Sequence, residues 1–210
     1  VCFMEWDEDI RLRKAAALRK YRKKLAEEIA FFEKRQDFYD IITKRLEDGS
    51  IPVRVTHNDT KLNNVLIDRK TDEVVCLIDM DTVMPGSSLY DFGDAVRFGA
   101  STAAEDEEDL SKIGLDMEKY RLFTEGFLRE TNGFLTEKEI GLLPLGVKVI
   151  TCELAMRFLT DYIDGDRYFK VNSPTHNLAR AHAQMKLLTD IEAKEEEMYR
   201  VLMEIIREGT

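Results

Sequence analysis

The sequence predicts an α+β fold that is mostly helical, with one small β-hairpin set between two helical stretches. Three observations predict it. The first fifty residues carry a repeating apolar set on a densely charged background. Three short β-branched runs cluster between Val53 and Ile78. From Ser88 to the end the apolar spacing is again helical.

Residues from about Asp7 to Asp48 are expected to form helix, with Leu18, Tyr21, Leu25, Ile29, Phe32, Tyr39, Ile42 and Leu46 as the repeating apolar set. Such a helix packs its stripe on the rest of the fold and solvates its charged face, and a coiled-coil partner helix is the minor alternative. Gly49 and Pro52 end it, which divides the chain into a charged helical segment, 1–52, and a lobe, 53–210. Val53-Arg54-Val55, Val65-Leu66-Ile67 and Val74-Val75-Cys76-Leu77-Ile78 read as strands. The last two flank the polar turn Asp68 to Asp72 and form a hairpin, and Pro85 to Ser88 read as a loop. The acidic run Glu105 to Asp109 reads as a solvated loop. Thr136 and Glu139 have capping-box spacing. Leu143, Val147, Ile150, Leu154, Phe158 and Tyr162 line one helix face, Pro144 kinks or restarts that helix, and Asp164-Gly165 end it. Ser173-Pro174 open the last helix.

Composition excludes several functions. No apolar run reaches the eighteen or so residues a membrane span needs, and no signal peptide is visible at Val1 to Trp6. Three separated cysteines, Cys2, Cys76 and Cys152, lack metal-ligand spacing and suit a reduced, cytoplasmic setting. A formal charge of −10 opposes nucleic-acid binding through phosphates. It permits nucleotide binding, because a divalent cation can sit between phosphates and carboxylates.

The chemistry concentrates in Thr56 to Asp68, which contains H-x-D-x-x-x-x-N at His57, Asp59 and Asn64. This is the spacing of a kinase catalytic loop. A hydroxyl attacking a terminal phosphate must lose its proton, so a carboxylate has to meet it. An amide oxygen a few residues on can hold magnesium. Leu77-Ile78-Asp79 then ends an apolar strand on an aspartate, a second oxygen ligand for the same ion. Asp59 is therefore the expected catalytic base, Asn64 and Asp79 the expected magnesium ligands, and His57 a residue that organises the loop. Asp91 either caps the helix that follows it or braces the catalytic loop, and a structural role is favoured.

Together these segments resemble the aminoglycoside phosphotransferase and choline kinase superfamily: His57-Asn58-Asp59 through Asn64, Ile78-Asp79, and Asp91-x-x-Asp94. Val55 to Leu66, Ile78 to Val83, Asp91 to Asp94, Arg157 to Tyr162 and Gly165-Asp166-x-Tyr168-Phe169 are similar to the N-acetylhexosamine 1-kinase group. The resemblance spans about Val53 to Glu192. It implies the C-terminal lobe of a protein-kinase-like fold that transfers phosphate from ATP, with Mg2+, to the anomeric hydroxyl of an N-acetylhexosamine. Arg157 and Tyr168 match positions that contact the sugar in that group, though both residue types are also common as structural groups on packing faces. Choline, homoserine or an aminoglycoside are the alternative acceptors, and a non-catalytic module that keeps the lobe is a reading of another class. A protein kinase is disfavoured, since no Ala-Pro-Glu segment follows Asp79. The resemblance also implies an N-terminal lobe with a phosphate-covering loop and a strand lysine. Here the first glycine is Gly49 and Lys14, Lys20, Lys23, Lys24, Lys34 and Lys44 fall in the helical segment, so that lobe is expected to be missing and the isolated chain inactive.

Overall fold

The computed structural model describes Tyr21 and residues 24–209. The expected helix from Asp7 therefore lies largely outside the described residues. What is described of it is not continuous. It comprises α1 (Ala26–Glu33), a single turn at Gln36–Phe38, and α2 (Ile41–Glu47). Two bent junctions, at Arg35 and Asp40, let Leu25, Phe32, Phe38 and Ile42 all reach the core, which one straight helix with this spacing would not allow. Gly49 ends α2 with φ +73°, a conformation that glycine adopts at little cost.

Four short strands follow: β1 (Arg54–Thr56), β2 (Val65–Ile67), β3 (Val74–Leu77) and β4 (Met84–Gly86). β2 and β3 form the expected antiparallel hairpin, with Val65 opposite Leu77 and an irregularity between Leu66 and Ile67. The predicted loop at Pro85 is partly strand, for β4 pairs antiparallel with β1, placing Val55 opposite Pro85 and Thr56 opposite Met84. Proline is tolerated because this two-stranded ribbon has only edges. The hairpin buries almost nothing: Leu66, Ile67, Val74, Val75 and Leu77 are all exposed.

The remaining helices form the core. α3 (Ser88–Gly99) is capped by Ser87, whose side chain accepts from Leu89 N. α4 (Met117–Glu130) is capped by Asp116. α5 (Glu137–Gly141) carries the predicted capping box, Thr136 with Glu139. α6 (Leu143–Asp164) restarts the chain with Pro144 in its first turn and stops at Gly165, φ +88°. The final helix is two helices, α7 (His176–Ala193) and α8 (Glu195–Glu208), and α7 begins two residues after Pro174 with no side-chain cap.

α6 is the central rod and lies against α3 and α7. It is buried on more than the expected stripe, because Thr151, Cys152, Ala155 and Leu159 are buried while Ile150 and Leu154 are only partly so. The α3–α6 crossing is a backbone contact. A Cβ on Gly93 would stand 2.5 Å from the Gly146 carbonyl oxygen, and one on Gly146 would stand 2.5 Å from that of Leu89. Alanine at either position would force the two helices apart and displace Leu89, Phe92 and Val96 from Leu143, Val147 and Phe158. No helix among the described residues is long and apolar enough to cross a membrane.

Candidate active site

β1 delivers the chain to His57 at the N-terminal side of α3, and the loop that follows is held from several directions. The Asp91 carboxylate on α3 accepts from two successive backbone groups, His57 N at 2.8 Å and Asn58 N at 2.7 Å. Its main-chain carbonyl accepts from Thr60 Oγ1 at 2.6 Å. Asp91 is thus a brace of the loop, while the helix cap falls to Ser87. Burial pushes the Asp91 carboxyl above its ordinary value, and the two backbone N–H groups offset only part of that.

Asn58 sits in the left-handed region at φ +62°, which asparagine tolerates better than most residues. Its side chain holds it there: Nδ2 donates to Thr82 O at 3.0 Å, and Oδ1 lies 3.1 Å from Thr56 Oγ1. Thr82 Oγ1 donates back to His57 O at 2.6 Å. His57 Nε2 lies 3.2 Å from Ile78 O, an arrangement that places the ring proton on Nε2 and leaves Nδ1 buried without a hydrogen-bond partner. The histidine therefore ties the loop to the end of β3.

The Asp59 carboxylate receives two donors. Asn64 Nδ2 stands 2.8 Å from Oδ2 and 2.9 Å from the Asp59 main-chain oxygen, and Lys61 Nζ is 2.8 Å from Oδ2. Lys61 was not singled out from the sequence. The signal for it was its place two residues past the aspartate, which lets a flexible ammonium turn back onto the carboxylate.

Asn64 closes a short turn, Leu62–Asn64, and is buried at 6% exposure. Its main-chain carbonyl accepts from Ile78 N at 2.9 Å, so the hairpin ladder puts Asp79 next to Asn64. Asp79 is left-handed, φ +63° and ψ +54°. Among the described residues its carboxylate enters no hydrogen bond or ion pair. With Nδ2 of Asn64 committed to Asp59, the amide's oxygen is its remaining polar side-chain atom. One amide oxygen and one unspent carboxylate are hard donors of the kind magnesium takes one or two of, the rest coming from phosphate and water, so the donor set fits that ion. Non-glycine residues in sparsely populated backbone regions persist only where the surroundings hold them, and Asn58 and Asp79 flank Asp59 and Asn64 here.

Arg157 and Tyr168 form a second locus at the far end of α6. The Arg157 guanidinium carbon lies 5.4 Å from the ring centroids of both Tyr168 and Phe169. Arg157 Nε is 3.8 Å from Glu153. Tyr168 is 73% exposed. Among the described residues no hydrogen bond or ion pair joins either residue to the Asp59 loop. Burial pushes the Glu153 carboxyl up, Asp94 on α3 adds to that, and Arg157 and Arg97 pull it down; Asp94 itself is paired with Arg97 at 2.9 Å. Asp94 is one turn from Asp91.

The sequence model of the phosphotransferase enzyme family matches residues 1–123 of this chain. That span, more than half of the chain, contains His57, Asp59, Asn64, Asp79 and Asp91 but ends before Arg157 and Tyr168. Because that match covers more than half of the chain, the chain belongs to the phosphotransferase enzyme family.

Proposed function

We propose that this chain carries the catalytic and acceptor half of an ATP-dependent small-molecule kinase whose acceptor is the anomeric hydroxyl of an N-acetylhexosamine. The observation that carries the transfer chemistry is Asp59, held between Asn64 and Lys61 at 2.8 Å each on a loop pinned by Asp91. In this reading Asp59 accepts the proton of the attacking hydroxyl. Asn64 Nδ2 orients the carboxylate, and Lys61 pairs with it and stands where it can also meet a phosphate oxygen. Asn64 Oδ1 and Asp79 would hold the magnesium ion, which neutralises charge on the transferring phosphates when bound. His57 keeps the loop in register with β3.

The sugar assignment rests on Arg157 and Tyr168. A guanidinium already stacked on two rings keeps free N–H donors for hydroxyl and amide oxygens. An exposed tyrosine offers a flat face and a hydroxyl. A cationic acceptor such as choline or an aminoglycoside is the alternative reading, with Glu153 beside Arg157 as the acidic group at that locus. A competitive screen separates them. With labelled ATP and Mg2+, the intact enzyme is expected to label N-acetylglucosamine or N-acetylgalactosamine. Label on choline, homoserine or an aminoglycoside, with neither amino sugar labelled, would overturn the sugar reading.

A further inference from the structure

Asp161 is buried at 6% exposure in the last turn of α6, and both of its carboxylate oxygens meet only donors. Oδ1 accepts from Arg167 N at 3.0 Å and Tyr168 N at 2.9 Å. Oδ2 accepts from Phe169 N at 2.9 Å and from Asn177 Nδ2 at 2.9 Å. Three successive backbone amides thus converge on one anion. The chain reaches that arrangement through two left-handed residues, Gly165 at φ +88° and Asp166 at φ +55°. Asn177, fully buried, ties the turn to α7 by donating to Asp166 Oδ1 at 2.8 Å as well.

A buried carboxylate needs several donors to offset its lost hydration, so this arrangement is expensive unless a fixed geometry is required. The backbone it grips carries Tyr168 outward into solvent and lays Phe169 against Phe158, ring centroids 4.6 Å apart. Arg157, on the preceding turn of α6, rests on both Tyr168 and Phe169. The anion therefore sets the position of an exposed ring and, through that ring, of an exposed guanidinium.

We propose that Asp161 is a positioning residue for acceptor specificity, holding Tyr168 and Arg157 as one preformed wall of the acceptor site. This rests on the reading of Arg157 and Tyr168 as sugar-binding groups. Asp161 itself touches no substrate. Asparagine cannot replace it, because the amide nitrogen would confront an N–H donor whichever way it turned.

The test is steady-state kinetics of the intact enzyme with ATP and N-acetylglucosamine, together with hydrogen exchange at the amides of residues 167–169. Asp161→Asn is expected to raise the acceptor KM by about ten- to a hundredfold, the scale of a small displacement of positioning groups. Its kcat and the KM for ATP should stay within about twofold of wild type, and the three amides should exchange faster. A merely structural aspartate would lower the amount of folded enzyme without this split between acceptor and ATP. If Asp161→Asn leaves the acceptor KM unchanged while Arg157→Ala and Tyr168→Phe raise it, the inference falls and the sugar reading stands. If none of the three changes it, the sugar reading falls and takes the inference with it. Should Asp161→Asn fail to fold, Asn177→Ala removes one donor and keeps the three backbone bonds. It is then expected to raise the acceptor KM about threefold, and an unchanged value would equally overturn the proposal.

Discussion

Replacing Asp91 by asparagine isolates what the brace contributes, because side-chain size is retained while one of two acceptors becomes a donor. Wild-type Asp91 accepts from His57 N at 2.8 Å and Asn58 N at 2.7 Å. The variant can satisfy only one of them. An unsatisfied, partly buried N–H costs about 1–3 kcal/mol. Against that, the substitution removes a buried charge, whose burden is visible in the upward shift of the Asp91 carboxyl. The net loss is therefore expected at the low end, about 1 kcal/mol, or a fall in Tm of about 2–4 °C for a chain of this size. The sign of the pH dependence follows. A carboxyl whose folded pKa is raised contributes stability that is present below its unfolded value and lost as pH rises through the folded one. The wild-type advantage over Asp91→Asn should thus grow as pH falls from the raised value toward the ordinary 3.8. Turnover should suffer more than stability. Tilting the His57–Asn58 peptide moves Asp59, which follows immediately, and a displacement of about 1 Å at a catalytic group costs about a hundredfold in rate. Thermal unfolding and steady-state ATP turnover of the intact enzyme measure the two effects. A folded Asp91→Asn enzyme turning over within about threefold of wild type would refute the reasoning.

Other consequences are simpler. Asp59→Asn should lower kcat by about two to four orders of magnitude with little change in Tm, since it removes the proton acceptor and keeps the side chain's size. Asp79→Ala should abolish magnesium-dependent turnover, and a magnesium titration followed by NMR should lose its response at the Asn64 side-chain amide; a retained response would rule out the paired ligand site. Arg54→Ala should destabilise the chain by about 3–5 kcal/mol in denaturant unfolding, because it strands the fully buried Glu139 carboxylate now paired at 2.9 Å. Burial alone would raise the Glu139 carboxyl, but Arg54 and Thr136 together hold it below its ordinary value. The wild-type advantage over Glu139→Gln should therefore be present above the ordinary carboxyl range and vanish as pH falls through the lowered value. By calorimetry these 210 residues alone should bind ATP weakly with magnesium, since no glycine-rich loop precedes His57; submicromolar binding would mean a nucleotide site elsewhere.

Local sequence determined the parts governed by local rules. The capping box at Thr136 and Glu139, the stop at Gly165 and the hairpin around Asp68 to Asp72 involve groups three to nine residues apart, where spacing and residue type settle the geometry. The motif spacing singled out Asp59 and Asn64, which lie only five residues apart and bond each other directly. The first helical stretch was misread as continuous, since its breaks at Arg35 and Asp40 carry no glycine or proline and are imposed by the core that Leu25, Phe32, Phe38 and Ile42 must reach. β4 was missed because Met84–Gly86 becomes a strand only through its partner β1, thirty residues earlier. Asp91's choice between capping and bracing was likewise decided by tertiary structure, which brought the backbone of residues 57 and 58 to its carboxylate and left the cap to Ser87. Asp161 is the same case at the other end of α6. Nothing in its spacing separates it from a solvated helix aspartate, and only the fold of the following turn, with α7 behind it, converges four donors on one buried charge.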